Sequence, residues 1–159
     1  MANKKTDTRN VIARNRKAGF RYHILDTFEA GIALVGSEVK ALRQKNADLS
    51  DSYAHMVGGE LFLHNLHIGE YRQAGVQQHP PKRRRKLLMH RRELRRVAGK
   101  VEERGMTLVP LELYFGGRGF AKVRLGLCKG KSRVDKRHAL KEKGIRREIQ
   151  RGLAGKRKR

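Results

Sequence analysis

The chain has 159 residues, of which 38% are hydrophobic, so it is long enough for one compact domain with a modest core. Its net charge of +24 makes nucleic acid the expected partner, and neither a run of about 18 apolar residues nor a signal-peptide pattern predicts contact with a membrane. The single cysteine, Cys128, excludes an internal disulfide framework and favours a reducing compartment, which predicts a cytoplasmic protein.

Positive charge is concentrated in separate segments rather than spread along the chain. Residues 25–81 carry seven acidic side chains against four basic ones, whereas residues 82–104 carry eleven basic against three acidic. Residues 130–159 are again strongly basic, with thirteen basic side chains against three acidic ones. The pattern predicts a disordered basic arm at 1–12, a folded body at 13–129 and a basic tail at 130–159, with the cationic segments as contact zones.

The first part of the body predicts two strands and a short helix. Residues 20–36, FRYHILDTFEAGIALVG, are rich in β-branched and aromatic residues with Ala-Gly near the middle, which predicts two strands joined by a tight bend. Ser37 follows as the expected N-cap of a helix, and Glu38 is favourably placed at the positive end of that helix. Val39 and Leu42, three residues apart, are expected to face inward.

A Gly-Gly pair marks the clearest hairpin. Residues 52–57 (SYAHMV) and 60–68 (ELFLHNLHI) flank Gly58 and Gly59, and two glycines permit the positive φ angles that a two-residue hairpin loop needs. Residues 69–81 then form a polar segment containing Gly and Pro, which predicts a loop.

The most basic segment of the body predicts a longer helix. Residues 82–104 follow two prolines and end before Gly105, a suitable C-terminal stop. Four apolar residues share one helical face: Leu87, Leu94, Val97 and Val101. Within residues 82–96, nine basic side chains accompany one acidic side chain, which is too lopsided for a solvated helix unless an anion relieves the repulsion. Contact with a polyanion is therefore predicted for this segment.

Two further strands complete the body. Residues 106–115 (MTLVPLELYF) and 120–128 (FAKVRLGLC) surround a Gly-rich turn, and apolar residues alternate with polar residues or glycine in the second. Pro110 predicts a free edge or a bulge in the first. The predicted fold is mainly β: a small OB-like antiparallel barrel of about six or more strands with two to three helices, followed by a disordered basic C-terminal tail.

Indications of catalysis or of cofactor binding are weak. Cys128 has no motif around it and is interpreted as a packed thiol. His64 and His67 would point to opposite faces of a strand, which disfavours a metal site. The GGRGF turn lacks the Lys-Ser/Thr of a phosphate-binding loop. We therefore predict no enzymatic activity, no cofactor, no metal ion and no small-molecule substrate.

Three residues allow both a structural and a functional interpretation. Phe20 and Tyr22 have the same parity on a strand, so spacing cannot separate base stacking from core packing, and packing is favoured on spacing alone. Glu29 fits either a turn or an acceptor for RNA hydroxyls and base amines, and spacing alone favours the turn.

Five motifs together resemble one known family. The segments ARNRKAGFRY, TFEAGIALVGSEVKALRQKNADLSDSYA, RKLLMHRREL, TLVPLELYF and CKGKSRVDKR, in this order and spacing, resemble the SsrA-binding protein family, also called small protein B or SmpB. The resemblance extends from about Ala13 to Ile149. It implies an OB-like barrel in a bacterial trans-translation factor, which binds the tRNA-like domain of transfer-messenger RNA (tmRNA) and delivers this RNA to stalled ribosomes.

The resemblance also implies which residues make each contact. The residues expected to contact tmRNA are Asn15, Arg16, Lys17, Tyr22, Glu29, Lys40, Arg43, Lys129 and Lys131. The tail residues expected to engage the ribosome are Asp135, Lys136, Arg137, Ile145 and Ile149. Glu38 also matches the family, where a structural role is the alternative to RNA contact. With the resemblance, RNA contact becomes the favoured interpretation of Tyr22 and Glu29.

The resemblance implies that the tail is disordered when free and helical in the decoding centre, among small-subunit RNA, and in the empty mRNA channel. Ile145, Ile149 and Leu153 are four residues apart, as on one helical face. Glycines in this segment each cost about 1 kcal/mol relative to alanine, and its positive charge repels itself, so ordering should require RNA. Two positions depart from the family: Val134 replaces a His or aromatic residue, and Ile145 replaces the Trp of some members.

One alternative function stays open at this point. A structural ribosomal protein with an OB-like barrel and cationic extensions would show the same charge distribution. In either case the chain is expected to be a monomer.

Overall fold

The computed structural model of the chain describes residues 10–76, 78–102 and 105–156. The strands in this part of the chain are β1 (Asn10–Arg14), β2 (Tyr22–Ile32), β3 (Ala47–Asp48), β4 (Tyr53–Val57), β5 (Glu60–His64), β6 (His67–Ile68), β7 (Arg85–Leu88), β8 (Met106–Phe115) and β9 (Ala121–Gly130). The helices are α1 (Ala18–Arg21), α2 (Gly36–Arg43), α3 (Arg91–Val101) and α4 (Arg133–Lys156), with a 3-10 turn at Arg72–Ala74.

Six strands form a closed antiparallel ring. Their order is β8, β4, β5, β7, β2 and β9, and β9 pairs again with β8. β1 extends the ring by pairing with the last residues of β8, while β3 and β6 form a separate two-stranded sheet. Closure pairs each ring strand on both sides, which satisfies the backbone groups that an open sheet edge would expose. The predicted mainly β antiparallel barrel is confirmed, with four α-helices among the described residues rather than two to three.

The core lies inside the ring. Leu61 and Leu63 on β5, and Val123 and Leu125 on β9, are fully buried, whereas the residues between them are not, as period-2 alternation predicts. Helix α3 covers part of the ring with Val97, which is fully buried against this core.

A second, smaller apolar cluster lies on the outer side of β8 and β9. This outer cluster consists of Ala18, Val109, Leu111 and Cys128, with Tyr22 packed against it. Cys128 is fully buried, which confirms the packed thiol, and burial raises the pKa of the thiol to about 11. Gly126 packs closely beside it: a Cβ there would lie 3.0 Å from Leu111 and 3.2 Å from the Cys128 sulfur, so these side chains would have to shift by a few tenths of an ångström.

The prediction of two strands joined by a bend at residues 20–36 is wrong. A single strand, β2, runs from Tyr22 to Ile32 and is paired with β9 along its length. Gly31 does not mark a bend, because it pairs with Lys122 on β9 and with Leu88 on β7 within the continuous sheet. The irregularity in β2 is instead a bulge, where the register with β9 shifts between Ile24 and Asp26.

The prediction of one helix over residues 82–104 is also wrong. Arg85–Leu88 form strand β7 between β5 and β2, and the helix begins only at Arg91. Arg85 and Leu87 are buried while Lys86 and Leu88 are exposed, which is strand periodicity. Because β7 supplies the strand that joins the two halves of the ring, tertiary pairing outweighs the local helical pattern.

Ser37 does not cap α2 as predicted. The helix begins at Gly36, after Val35, and the Val35 N–H donates to the Glu38 carboxylate at 2.9 Å. The Ser37 hydroxyl lies instead 3.0 Å from Nδ1 of His79. Ala41 and Leu42 form the buried face of α2 with Glu38, while Val39 is half-buried.

A buried ion-pair network joins α2 to β7. The fully buried Glu38 carboxylate accepts from Arg83 at 2.6 and 2.7 Å and from the fully buried Arg85 at 2.8 Å. Arg85 also donates to the backbone carbonyls of Leu66 and Pro81. Burial favours the protonated form of Glu38, but the hydrogen bonds from Arg83 and Val35 and the charge of Arg85 outweigh it and lower its pKa. Glu38 is thus structural, and two arginines of the predicted polyanion-binding block serve the fold.

Both predicted hairpins are confirmed. The β4–β5 hairpin turns at Gly58 and Gly59, with φ angles of +58° and +77°. The β8–β9 hairpin is confirmed with a bulge, since the register shifts between Pro110 and Glu112.

Strand β1 begins at Asn10, within the segment for which the sequence predicts an arm, and the rest of that arm lies outside the described residues. No helix in the described ranges is long and apolar enough to cross a membrane.

Candidate nucleic-acid interface

The turn after β1 presents two cations on a frame held by Asn15. The Asn15 Nδ2 donates to the carbonyl of Leu49 at 3.2 Å, and its Oδ1 accepts from the N–H groups of Lys17 and Ala18 at 3.2 and 3.1 Å. The Arg16 and Lys17 side chains are exposed. Asn15 therefore orders the backbone from which these two expected RNA contacts project.

Tyr22 packs against the protein and also borders a cleft, while its contact with RNA stays a prediction. One part of its ring packs against the outer cluster, and the residue also lines a cleft of about 270 Å³. Asn15 and Tyr53 line the same cleft, together with Arg21 and Asp51, whose charged groups lie 3.7 Å apart. The cleft offers aromatic, amide and cationic groups to one ligand segment.

Glu29 lies in the middle of β2, so the interpretation as a turn residue is wrong. Its carboxylate accepts from Lys122 Nζ at 2.5 Å and from the hydroxyl of Tyr114. Glu29 and Lys122 line a cleft of about 430 Å³ together with Leu88, an exposed apolar residue. Lys122 was missed by sequence reasoning, although the alternation in β9 already placed it on the outer face beside β2.

The bulge in β2 puts Tyr22 and Glu29 on the same face of the sheet. Seven residues separate them, and in a regular strand an odd separation places side chains on opposite faces. Leu25 is the extra residue of the bulge, so Tyr22 pairs with Gly130 and Glu29 with Arg124 on β9. Gly130 and Arg124 are six residues apart, and this even separation puts Tyr22 and Glu29 on the same face. Both side chains consequently face outward, roughly 20 Å apart along the strand.

Lys40 and Arg43 project from the exposed side of α2, opposite the buried Ala41 and Leu42. The Lys40 Nζ lies 5.4 Å from the centroid of the Tyr71 ring. Lys40 and Tyr71 line a separate cleft of about 710 Å³.

The end of β9 is tied to α1. Lys129 is exposed and pairs with His23 on β2. Lys131 donates from its backbone N–H to the carbonyl of Arg21 and from Nζ to the carbonyl of Gly19, both at 3.0 Å. These bonds fix the point from which the tail leaves the barrel.

The Asp-Lys-Arg motif begins helix α4. Ser132 and Asp135 cap each other, since the Asp135 N–H donates to the Ser132 Oγ at 3.1 Å and the Ser132 N–H to the Asp135 carboxylate at 3.2 Å. Hydrogen bonds from the Ser132 hydroxyl and N–H lower the pKa of Asp135, and His23 Nε2 lies 3.7 Å from its carboxylate. Asp135 is thus used in starting the helix, while Arg137 is exposed and Lys136 half-exposed.

Large apolar side chains on α4 face solvent. Val134, Ile145, Ile149 and Leu153 are each between 56% and 64% exposed. Helical spacing is present as predicted, and the dependence of this helix on a partner stays a prediction. An exposed apolar row of this kind is typical of a surface that is covered on binding.

The remaining basic block belongs mostly to α3. Lys100 donates to Asp26 at 2.5 Å and Arg96 lies 3.9 Å from the same carboxylate, so part of its charge is compensated within the barrel. The arginines Arg91, Arg92 and Arg95 are exposed. Polyanion contact by α3 stays a prediction.

The structure brings some of the expected contacts together and separates others. Asn15 and Tyr22 line one cleft, and Lys131 is bonded to the adjacent helix α1. Glu29 lies further along the same face, and Lys40 borders a different cleft. None of the nine residues expected to contact tmRNA is buried. In the described part of the chain, no three His, Cys, Asp or Glu side chains group to hold a metal ion.

A closed antiparallel barrel with exposed cations, aromatic clefts and a cationic helix defines a barrel protein of the nucleic-acid-binding class. The family model described as "SmpB protein" matches residues 12–155. The chain belongs to the SmpB family, as its motifs predicted.

Relatives of known name are similar over nearly the whole chain. An SsrA-binding protein of Anaeromyxobacter sp. (strain Fw109-5) is 55% identical over 93% of this chain and 89% of its own length. That of Carboxydothermus hydrogenoformans is 52% identical over 90% of this chain and 95% of its own. A chain from a solved structure described as "tmRNA-SmpB: a journey to the center of the bacterial ribosome" is 50% identical, with a TM-score of 0.66, over 80% of this chain and 93% of that chain.

Proposed function

We propose that this chain is an RNA-binding adaptor of trans-translation, which binds the tRNA-like domain of tmRNA through its barrel and engages the stalled ribosome through α4. The observation that carries the proposal is the 50% identity to the chain of the solved tmRNA–SmpB structure, combined with surface positions for all nine expected RNA contacts.

The outer face of β2 and β9 supplies the groups that folded RNA requires. Tyr22 offers a ring for stacking, Glu29 offers a carboxylate to RNA hydroxyls and base amines, and Lys122 holds that carboxylate in place. Arg16, Lys17 and Lys129 are exposed and would serve as phosphate contacts. Because Tyr22 and Glu29 are roughly 20 Å apart, RNA that reaches both must follow the direction of β2.

The tail supplies the second contact. Helix α4 starts from a fixed point at Lys131 and carries exposed apolar and cationic side chains on a 24-residue helix. RNA walls of a channel would neutralise its charge, and Ile145 and Ile149 would be covered there. Val134 and Ile145 would make apolar contacts in place of the aromatic stacking open to other members.

Binding and delivery, rather than catalysis, account for the groups on the barrel surface, so we infer that the protein is not an enzyme. Its work on ribosomes would be done in the cytoplasm.

The barrel assignment is tested by Tyr22→Ala and Glu29→Ala in a binding assay with the tRNA-like domain at fixed salt and excess bulk tRNA. The competitor is needed because a chain of net charge +24 binds any polyanion. Loss of stacking or of charged hydrogen bonds should weaken specific binding about tenfold or more for each variant.

Glu60→Ala is the matched control, because the Glu60 carboxylate accepts from Lys86 at 2.5 Å just as Glu29 accepts from Lys122. Both substitutions remove one exposed acid and release one lysine, and because Glu29→Ala also removes the acceptor of the Tyr114 hydroxyl, circular dichroism must show that both variants are folded. Equal affinities for Glu29→Ala and Glu60→Ala, with Tyr22→Ala unchanged, would show that the assigned face is wrong.

A further inference from the structure

The outer face of the β4–β5 hairpin carries four rings in a grid. Tyr53 and His55 point outward from β4, and Phe62 and His64 point outward from β5, while the alternate residues face the core. The register pairs Tyr53 with His64 and His55 with Phe62, so the rings lie in two adjacent cross-strand pairs. None of these residues is among the nine expected to contact tmRNA.

The geometry of this face is that of a stacking surface. The Tyr53 and His64 rings are parallel within 8°, with centroids 5.2 Å apart. The Arg84 guanidinium lies over the Phe62 ring, 4.5 Å from its centroid. Tyr53 is nevertheless 43% exposed, so the pairing within the protein leaves part of its ring available.

The His64 ring is uncharged and the rim of the surface is cationic. Burial, followed by the charges of Arg84 and His55, lowers the pKa of His64, which keeps it uncharged at neutral pH. Its Nε2 is shielded from solvent and has no hydrogen-bond partner in the described part of the chain. Arg84 and Lys86 border the rings, and Lys86 pairs with Glu60.

We propose that this face, formed by Tyr53, His55, Phe62, His64 and Arg84, is a second RNA-binding surface, which stacks unpaired nucleobases. Aromatic rings match the π-faces of bases, the planar guanidinium extends the same surface, and the cationic rim matches phosphates. Base pairs in a duplex are already stacked, so the surface selects single-stranded segments. Tyr53 also lines the cleft of Asn15 and Tyr22, so this surface adjoins the one assigned to the tRNA-like domain, whereas its other four residues lie outside that cleft.

Tryptophan fluorescence isolates this surface from the rest of the basic chain. The chain contains no tryptophan, so Phe62→Trp introduces a single reporter under Arg84. Phe120→Trp is the matched control, because Phe120 is 70% exposed in the turn between β8 and β9, away from the hairpin. The probes are oligouridylate and a blunt RNA duplex of the same length, each titrated at the same salt concentration.

We expect oligouridylate to quench Phe62→Trp with saturation, the duplex to quench it little, and Phe120→Trp to respond weakly to both. Adding Tyr53→Leu and His64→Leu, which keep apolar bulk but remove two rings, should weaken oligouridylate binding about tenfold. Arg84→Lys keeps the charge and should still weaken it severalfold, which a purely electrostatic site would not show.

Three results would overturn the proposal: equal quenching of both reporters, equal quenching by the duplex, or unchanged affinity in the two-leucine variant with its fold intact by circular dichroism. A surface that binds protein instead would give no saturable quenching by oligouridylate, which likewise excludes RNA stacking.

Discussion

Glu38 is the residue on which the fold depends most directly. It is fully buried with Arg85, and Glu38→Gln would leave that guanidinium charge buried with its carboxylate partner removed. Breaking such a pair from one side is expected to lower the free energy of unfolding by about 3–5 kcal/mol. Urea denaturation measures the change, and Glu60→Gln, which breaks an exposed pair with Lys86, should cost about 1 kcal/mol or less. Equal effects of the two substitutions would contradict the structural role of the network.

The same pair gives the stability a defined dependence on pH. The pKa of Glu38 in the folded protein is below its ordinary value of 4.5, so the unfolded chain binds the proton more readily. The contribution is therefore present above about pH 4.5 and is lost as the pH falls through the lowered folded value. The stability difference between the wild type and Glu38→Gln should shrink on acidification in that range, and a constant difference would show that Glu38 does not titrate this way.

Individual site residues could be predicted only in part. Spacing alone left Tyr22 and Glu29 ambiguous, and the family motifs were needed to favour RNA contact. The bulge at Leu25, which puts both on one face, depends on the register with β9 a hundred residues away, and no local pattern encodes it. The Ser132–Asp135 cap, by contrast, is visible in the sequence as Ser-Arg-Val-Asp and was missed.

Elements with local turn chemistry were predictable, whereas β7 was not. Gly58 and Gly59 define the β4–β5 hairpin within a few residues. Strand β7 contains a buried arginine whose partner, Glu38, is 47 residues earlier, so a basic run that reads as a helix becomes a strand only in the assembled ring. The charge of Arg85 can be buried only because Glu38, which is distant in the sequence, pairs with it. The spacing of apolar residues within the segment therefore cannot predict the strand.

Helix α4 is expected to form conditionally, starting from its cap. A peptide of residues 130–159 should show little helix in buffer and gain helix on titration with polyuridylate, as followed by circular dichroism. Ser132→Ala should reduce that gain, because loss of an N-cap costs about 1 kcal/mol. Ser132→Asn keeps a capping side chain and should behave like the wild type. A peptide that is fully helical without RNA would contradict conditional folding, and equal gains for all three peptides would contradict the role of the cap.

At the scale of the whole molecule, the cationic helix α4 leaves the barrel at a junction that is held by the hydrogen bonds from Lys131 to α1. An adaptor with this arrangement should leave ribosomes together with its RNA when the salt concentration is raised, because its contacts are mainly ionic. Sedimentation of ribosomal subunits after a high-salt wash measures this. Retention of the protein on washed subunits would instead support a structural ribosomal protein.

An adaptor of this kind first binds tmRNA through its barrel and then engages the ribosome through its tail. Deleting residues 132–159 removes the α4 cap and helix but keeps β9 and the Lys131 bonds to α1, so specific binding to the tRNA-like domain should be retained. The most direct measurement is peptide tagging on ribosomes stalled on a message without a stop codon, with tmRNA and either the full chain or this truncated chain. We predict tagging with the full chain and none with the truncated chain at equal tmRNA occupancy. Tagging at the full rate by the truncated chain would contradict the account.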